Sequence, residues 1–144
     1  MGAGVTKPRE INMEIRFLTA EEVEQIHKRV VAEFGGSAGI RDRGLLESAI
    51  AQPQMTFGGE YLHPSVPEMA AAYLYHLCGN HPFIDGNKRV GLAAALVFLE
   101  LNGLRLKAEH DIIEKLVWEI AAGNVSKGHL SEFCITHCVP IADP

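Results

Sequence analysis

Nine consecutive residues, from His81 to Arg89, combine side chains that can act as a base, bind a metal and hold a phosphate. They read HPFIDGNKR. His81 can be neutral at cellular pH and accept a proton from a hydroxyl, and Asp85 offers the hard oxygen ligand that Mg²⁺ prefers. The segment therefore has the parts of a phosphoryl-transfer site, which needs a placed nucleophile, a metal on the phosphate oxygens and cations where charge gathers.

The second half of this segment has the features of a phosphate site. Gly86 lets the backbone approach a ligand closely. Asn87, Lys88 and Arg89 then open the next helix. Cations at a helix N-terminus are disfavoured by about 0.3–1 kcal/mol each, because that end already carries partial positive charge. Lys88 and Arg89 are therefore expected to face an anion, with the first backbone amides of the helix as further donors.

Structural roles are also open to these residues. Asp85 or Asn87 could cap the following helix, and His81 could be a loop histidine whose hydrogen bonds are satisfied. Lys88 and Arg89 could be solvated, although acidic residues are favoured at this end of a helix. For His27 and the other histidines, which show no paired-ligand spacing, surface or packing roles are expected.

The helix after the segment is expected to be buried, with Phe83 anchoring the preceding loop in the core. Residues 90–101 read VGLAAALVFLEL and are hydrophobic nearly all round, which is typical of a central helix. The run is too short between charges to span a bilayer. The segment is thus expected to lie at the mouth of a buried helix.

The first predicted helix starts at a capping box, in which Thr19 is the N-cap and Glu22 follows three residues later. Its inward-facing residues are predicted to be Val23, Ile26, Val30 and Phe34. A weak alternation of apolar and polar residues over 13–18 predicts a short strand before it.

Further elements follow from caps and apolar spacing. Asp42 is predicted to cap a second helix that Pro53 closes, and Ser65 with Glu68 to start a third that ends just before the segment. Later elements are a strand over 104–106, a helix over about 109–122 and a short helix over 130–138. The sum is an all-α domain of about six helices.

HPFIDGNKR resembles the core motif of the Fic/Doc family. Lys88 stands where most Fic enzymes have glycine, which resembles the Doc-type (death-on-curing) toxins of type II toxin–antitoxin systems. Similar stretches at residues 39–54, 56–64 and 99–103 extend the likeness over most of the chain. We interpret residues 1–12 as a flexible leader, native or vector-derived, and residues 13–144 as one Fic/Doc domain. The resemblance implies a single-domain Fic-type helical bundle with a short flap, a hairpin or loop at about residues 53–64.

The resemblance also implies a role for each residue of the segment. His81 would accept the proton of a target protein's hydroxyl, and Asp85 would hold Mg²⁺. The residues that would hold the phosphates of ATP are Gly86, Asn87, Lys88 and Arg89.

Leu92 bears on which phosphate moves. AMP-transferring Fic proteins carry a second arginine at this position, and an aliphatic side chain cannot bind the terminal phosphates that arginine holds. Together with Lys88 this matches the Doc pattern, which implies transfer of the γ-phosphate of ATP to a Ser or Thr hydroxyl. The implied target is translation elongation factor Tu, so that translation would stop. Transfer of AMP to a protein hydroxyl remains an alternative.

Two other classes of function are disfavoured by the same residues. A non-catalytic, Fic-shaped binding module is disfavoured by the intact histidine, acid and cation set. Metal-dependent hydrolysis with His81 and Asp85 as ligands is disfavoured because two ligands are too few for a catalytic metal site.

The family implies an inhibitor. Self-inhibited Fic proteins carry a serine or threonine four residues before a glutamate, and the nearest fit, Thr6 and Glu10, is poor. A Phd-like antitoxin acting in trans, with a disordered tail that folds on binding, is expected instead.

Composition limits the remaining possibilities. The chain has 144 residues and a net charge of −5, which argues against direct binding of nucleic acid. No apolar segment suits a membrane anchor. The three cysteines lack framework spacing, which favours a reducing, cytoplasmic setting. Cys134, His137 and Cys138 could ligate a metal, but half-buried residues of a terminal helix are the favoured interpretation.

Overall fold

Six helices make up most of the part of the chain that the structure describes, which confirms the all-α prediction. The computed structural model describes residues 14–141. The helices are α1 (Ala20–Phe34), α2 (Arg43–Ala51), α3 (Val66–Asn80), α4 (Asn87–Leu101), α5 (His110–Ala121) and α6 (Lys127–His137). A 3₁₀ turn, Gln52–Gln54, follows α2. Two small antiparallel sheets pair β1 (Thr56–Phe57) with β2 (Glu60–Tyr61) and β3 (Leu104–Leu106) with β4 (Cys138–Pro140). The predicted leader, with Thr6 and Glu10, lies outside the described residues.

The predicted N-caps are present. The hydroxyl of Thr19 accepts a bond from the Glu22 N–H at 3.1 Å, and the Glu22 carboxylate accepts one from the Thr19 N–H at 2.9 Å. Asp42 Oδ1 accepts from the Leu45 N–H at 3.0 Å, and Ser65 caps α3 in the same way. Each cap satisfies a backbone donor that the helix start would leave unpaired, so local sequence determines where these helices begin.

Helices α3 and α4 form the centre of the core. The fully buried side chains that they share include Met69, Tyr73, Leu77, Val90, Ala94 and Phe98. Gly91 allows the two helices to approach closely, because a Cβ at this position would lie 3.1 Å from Cys78 Sγ and 3.4 Å from the Leu74 carbonyl oxygen. The prediction of a central α4 is therefore confirmed.

Two local predictions at the first helix are wrong. Residues 14–19 form no strand; the Leu18 N–H instead donates to the buried Tyr73 hydroxyl at 2.9 Å, so it has no need of a strand partner. Phe34 does not face the core, because α1 ends there at the surface and leaves the side chain 54% exposed.

The C-terminal end also differs from the prediction. Helix α6 begins at Lys127, one turn earlier than expected, because Ser126 Oγ accepts a hydrogen bond from the His129 N–H at 3.1 Å. The chain then continues from Cys138 as β4, whose register pairs Leu106 with Cys138 and Leu104 with Pro140. This sheet holds residues 138–140 beside the strand that follows α4.

The surroundings of Cys134 and of the neighbouring His137 indicate packing roles. Cys134 is buried, and burial raises the pKa of its thiol to about 12, which disfavours the thiolate that a metal needs. The Nδ1 of His137 lies 2.9 Å from the Phe133 carbonyl oxygen, to which it donates. These contacts support the packing interpretation of this segment.

Within residues 14–141 no helix combines the length and apolarity needed to cross a membrane.

The half-buried pair of His76 and Lys127 makes the stability of the fold depend on pH. His76 Nε2 lies 2.9 Å from Lys127 Nζ, so the imidazole accepts from the ammonium. Burial, and next the charges of Lys127 and His63, lower the pKa of His76 to about 4. Burial also lowers the pKa values of His63 and Lys127. A proton on His76 would thus be unfavourable in the folded protein.

We expect the protein to lose stability as pH falls from 6.5 towards about 4. The unfolded chain protonates His76 near its ordinary pKa of 6.5, whereas the folded protein keeps it neutral to about pH 4. Because the unfolded state binds more protons in this window, stability rises with pH there. Thermal unfolding between pH 7 and pH 4 measures the slope, which should be shallower in His76→Gln. Equal slopes in both proteins would contradict this assignment.

Candidate functional site

The motif loop, residues 81–86, joins α3 to α4 and begins at a strained residue. His81 is the C-cap of α3 and has φ 49°, a left-handed conformation that is uncommon for a residue other than glycine. Arg41 supports this turn: its Nε donates to the His81 carbonyl oxygen at 2.7 Å and its Nη2 to that of Asn80 at 3.0 Å. The guanidinium thus satisfies carbonyls at a helix C-terminus, where a cation is also favoured.

Backbone hydrogen bonds to the segment before α2 hold the middle of the loop. The N–H groups of Arg41 and Asp42 both donate to the Pro82 carbonyl oxygen, at 2.7 and 3.0 Å. The Ile84 N–H donates to the Gly39 carbonyl oxygen at 3.1 Å. The loop is thus paired along its length although it contains no strand.

Phe83 anchors the loop in the core, as expected. Its side chain is 1% exposed. The amide of Asn87 bonds both backbone groups of Phe83: Oδ1 accepts from the N–H and Nδ2 donates to the carbonyl oxygen, each at 3.0 Å. The side chain of Asn87 therefore holds the loop, and the group that it leaves for a phosphate is its backbone N–H.

The carboxylate of Asp85 is held by two backbone amides. Oδ1 accepts from the Gly86 N–H at 2.9 Å, and Oδ2 accepts from the Ser37 N–H at 3.3 Å. Gly36 lies against the same oxygen, because a Cβ there would be only 2.8 Å from Oδ2. Each oxygen keeps a free lone pair on an exposed side chain. This donor set fits Mg²⁺, which takes one or two carboxylates and completes its shell with water and phosphate oxygens.

Helix α4 begins without a side-chain cap. Gly86 is the N-cap in a left-handed conformation with φ 79°, and neither of the two candidate caps, Asp85 and Asn87, fills that role. The Val90 N–H donates to the Gly86 carbonyl oxygen at 2.9 Å. The backbone N–H groups of residues 87–89 come before this bond and so are left without partners in the helix.

Both cations of the motif rest on aromatic rings. Lys88 Nζ lies 4.5 Å from the ring centroid of Trp118, and Arg89 Cζ lies 4.5 Å from that of Phe34. Cation–π contacts of this kind are worth about 0.5–1 kcal/mol at exposed sites. Among the ion pairs between described residues, none involves either cation. Their charges are therefore available to an anion.

These groups border a cleft of about 510 Å³ between α1, α4 and α5. The motif contributes Asp85, Gly86, Asn87, Lys88 and Arg89 to its lining. The other walls include Phe34, Leu92, Leu96, His110, Glu114 and Trp118. The structure thus brings the predicted metal ligand and phosphate donors together in one cleft, referred to below as the cleft. His81 is exposed at the opposite end of the motif loop and does not line it.

Sequence reasoning missed three residues of the far wall. His110, Glu114 and Trp118 lie four residues apart along α5 and so share one face of that helix. The spacing was visible in the sequence, but nothing local indicated that this face would meet the start of α4.

Comparison with known proteins agrees with the geometry of the motif. Residues 17–99 match the Fic/DOC family. The chain is 46% identical over 90 residues to "Toxin Doc" of Mycolicibacterium smegmatis, which covers 61% of this chain and 69% of that protein. It is 29% identical over 118 residues to "Protein kinase doc" of Escherichia phage P1, which covers 82% of this chain and 92% of that protein. The helical fold, the motif and these similarities together show that the chain belongs to the Fic/DOC family.

Proposed function

We propose that the protein is a Doc-type toxin that transfers the γ-phosphate of ATP to a Ser or Thr hydroxyl of a target protein. The observation that carries this proposal is the cleft. There, two cations that form no ion pair within residues 14–141 and the free amides of a helix start lie beside an exposed carboxylate. The names of the two similar proteins, a Doc toxin and a Doc protein kinase, support it.

Residues of the motif would divide the chemistry as follows. An unprotonated ring nitrogen of His81 accepts the proton of the target hydroxyl as its oxygen forms a bond to the γ-phosphorus, and the bond from that phosphorus to the β-phosphate oxygen breaks to release ADP. Lys88, Arg89 and the amides of residues 87–89 stabilise the charge on the phosphate oxygens. Mg²⁺ held by Asp85 would supply further neutralisation of that charge.

Leu92 favours transfer of the γ-phosphate over transfer of AMP. It lines the cleft about one turn after Lys88, so the wall beside the phosphate donors is aliphatic at that level. A cation at position 92 would hold a chain of phosphates extended along α4. The leucine presents an apolar surface there instead. The phosphate donors that remain are concentrated at the helix start.

The flap, residues 53–64, has the features of a site for a target segment. The β1–β2 pair is extended by a bond from the Leu62 N–H to the Met55 carbonyl oxygen at 3.0 Å. Phe57 at its tip is 80% exposed. A short exposed hairpin can add an extended segment of another protein as a further strand, through backbone hydrogen bonds. We propose that this target protein is elongation factor Tu and that the reaction takes place in the cytoplasm.

An antitoxin in trans is part of the same proposal. Exposed apolar side chains border the cleft: Phe34 is 54% and Trp118 is 61% exposed. Such a surface beside a catalytic site suits a Phd-like segment that folds when it binds. The antitoxin would then act by competing for the cleft.

Position-specific labelling of ATP tests the proposal. The protein is incubated with elongation factor Tu, Mg²⁺ and ATP labelled at either the γ or the α phosphate, and the target is analysed by mass spectrometry. We expect label from the γ position alone and an added mass of one phosphate. Label from the α position would instead show AMP transfer, and absence of label from both would overturn the proposal for this target.

A further inference from the structure

His27 is a buried polar side chain of α1 that the chemistry above does not use. It is 2% exposed, and its surroundings belong to the motif loop. The imidazole stacks on the Phe83 ring, with centroids 3.9 Å apart and planes at 9°. Its Nε2 lies 2.7 Å from the Asp85 carbonyl oxygen. The side chain thus reaches from the first helix into the centre of the motif.

The short contact determines which nitrogen carries the proton. A carbonyl oxygen only accepts hydrogen bonds, so Nε2 of His27 must be the donor. The same nitrogen would lie 3.6 Å from a Cβ added at Gly86. The imidazole therefore lies against the peptide unit that joins Asp85 to Gly86.

That peptide unit connects His27 to the carboxylate. The Asp85 carbonyl and the Gly86 N–H belong to one planar group, so fixing the oxygen also fixes the direction of the N–H. The N–H donates to Asp85 Oδ1 at 2.9 Å. The hydrogen bond from His27 at one edge of the peptide unit therefore also fixes the N–H that the carboxylate accepts from at the opposite edge.

We propose that His27 is a positioning residue, which orients the Asp85 carboxylate for a divalent cation by holding the Asp85–Gly86 peptide plane. This inference rests on the proposed function, because it concerns the carboxylate that would hold Mg²⁺. Groups that orient metal ligands in this way change metal affinity by about 10–100-fold when they are removed.

Two pairs of proteins distinguish the effect of the hydrogen-bond donor of residue 27 from the effect of its packing. His27→Phe keeps an aromatic ring on Phe83 but has no donor, and it is compared with the unchanged protein. His27→Met and His27→Gln are similar in shape, and only the glutamine has an N–H to donate. The second pair does not depend on the ring, so it remains informative if the phenylalanine variant fails to fold.

The first measurement is the Mg²⁺ dependence of binding of a non-hydrolysable ATP analogue. Trp118, the single tryptophan of the chain, lines the cleft and reports binding by fluorescence. We expect the half-saturating Mg²⁺ concentration to rise about tenfold or more in the Phe and Met variants. The Gln variant should recover most of that loss, and binding without metal should be equal in all.

The second measurement is hydrogen–deuterium exchange of residues 81–89 without ligand. In this segment the Phe variant should exchange faster than the unchanged protein, and the Met variant faster than the Gln variant. The backbone of α1 should stay equally protected in all of them. Equal exchange within each pair, or faster exchange with an unchanged Mg²⁺ requirement, would overturn the proposal. If the unchanged protein binds no nucleotide at any Mg²⁺ concentration, the proposed function fails, whereas the exchange comparison still decides whether His27 holds the loop.

Discussion

Asparagine in place of His81 is expected to lower phosphate transfer by about 10²–10⁴-fold, the usual contribution of general base catalysis. An amide cannot accept the proton of the target hydroxyl at neutral pH. The substitution suits the backbone, because asparagine tolerates the left-handed conformation that residue 81 adopts with φ 49°. The His81 side chain is exposed, and among residues 14–141 no hydrogen bond to its ring is present. The loss should therefore be chemical and not structural.

The rate of γ-phosphate transfer and the growth of cells that express the variant both measure this effect. Nucleotide binding and thermal stability should stay close to those of the unchanged protein, because the cleft lies at the other end of the motif loop. His81→Ala is the second variant and should lose activity to the same extent. If toxicity survived both substitutions, the protein would act as a binding module and the catalytic role of His81 would be wrong.

Truncation of Phe83 to alanine is expected to cost about 3–5 kcal/mol of the free energy of unfolding. The side chain is 1% exposed and stacks on His27, so its removal leaves a cavity under the motif loop. Total stabilities of natural domains are only about 5–15 kcal/mol. The melting temperature should fall on the order of 10 °C, and urea unfolding gives the free energy directly.

Phe57→Ala is the matched control, because the same side chain is removed from a site that is 80% exposed. Its effect should stay within about 0.5 kcal/mol. Phe83→Leu keeps most of the volume and should retain much of the stability that alanine loses. A cost for Phe83→Ala as small as that of the control would mean that the motif loop is anchored by its backbone hydrogen bonds alone.

The sequence predicted those parts of the fold that depend on local chemistry. Helix starts at Thr19, Asp42 and Ser65 follow from side chains that bond amides three residues later, an interaction contained in a few residues of chain. Strand β4 was missed because its partner β3 lies more than thirty residues earlier, and nothing near Cys138 indicates that pairing. Phe34 fits the apolar period of α1, but the core ends before that residue.

The candidate site likewise combines features that are local in the sequence with features that only packing brings together. The residues of the motif are contiguous, so their types and order were enough to predict that Lys88 and Arg89 lie close to Asp85, and all three line the cleft. The walls of the cleft come from α1 and α5, and only packing brings Phe34 and Trp118 to the motif. His27 was expected to have a surface or packing role, because its partner is a backbone oxygen 58 residues away and leaves no mark on the sequence.

Lys88 and Arg89, which form no ion pair within residues 14–141, have a consequence for how an anionic ligand arrives. The chain carries a net charge of −5, so most of its surface repels a nucleotide. Lys88 and Arg89 face the cleft beside two carboxylates, Asp85 and Glu114, and their aromatic supports keep both positive charges at its wall. A local field of this kind acts on an anion at short range, and salt screens it. Salt should therefore weaken both the attraction of an anion to the start of α4 and its repulsion from the rest of the surface.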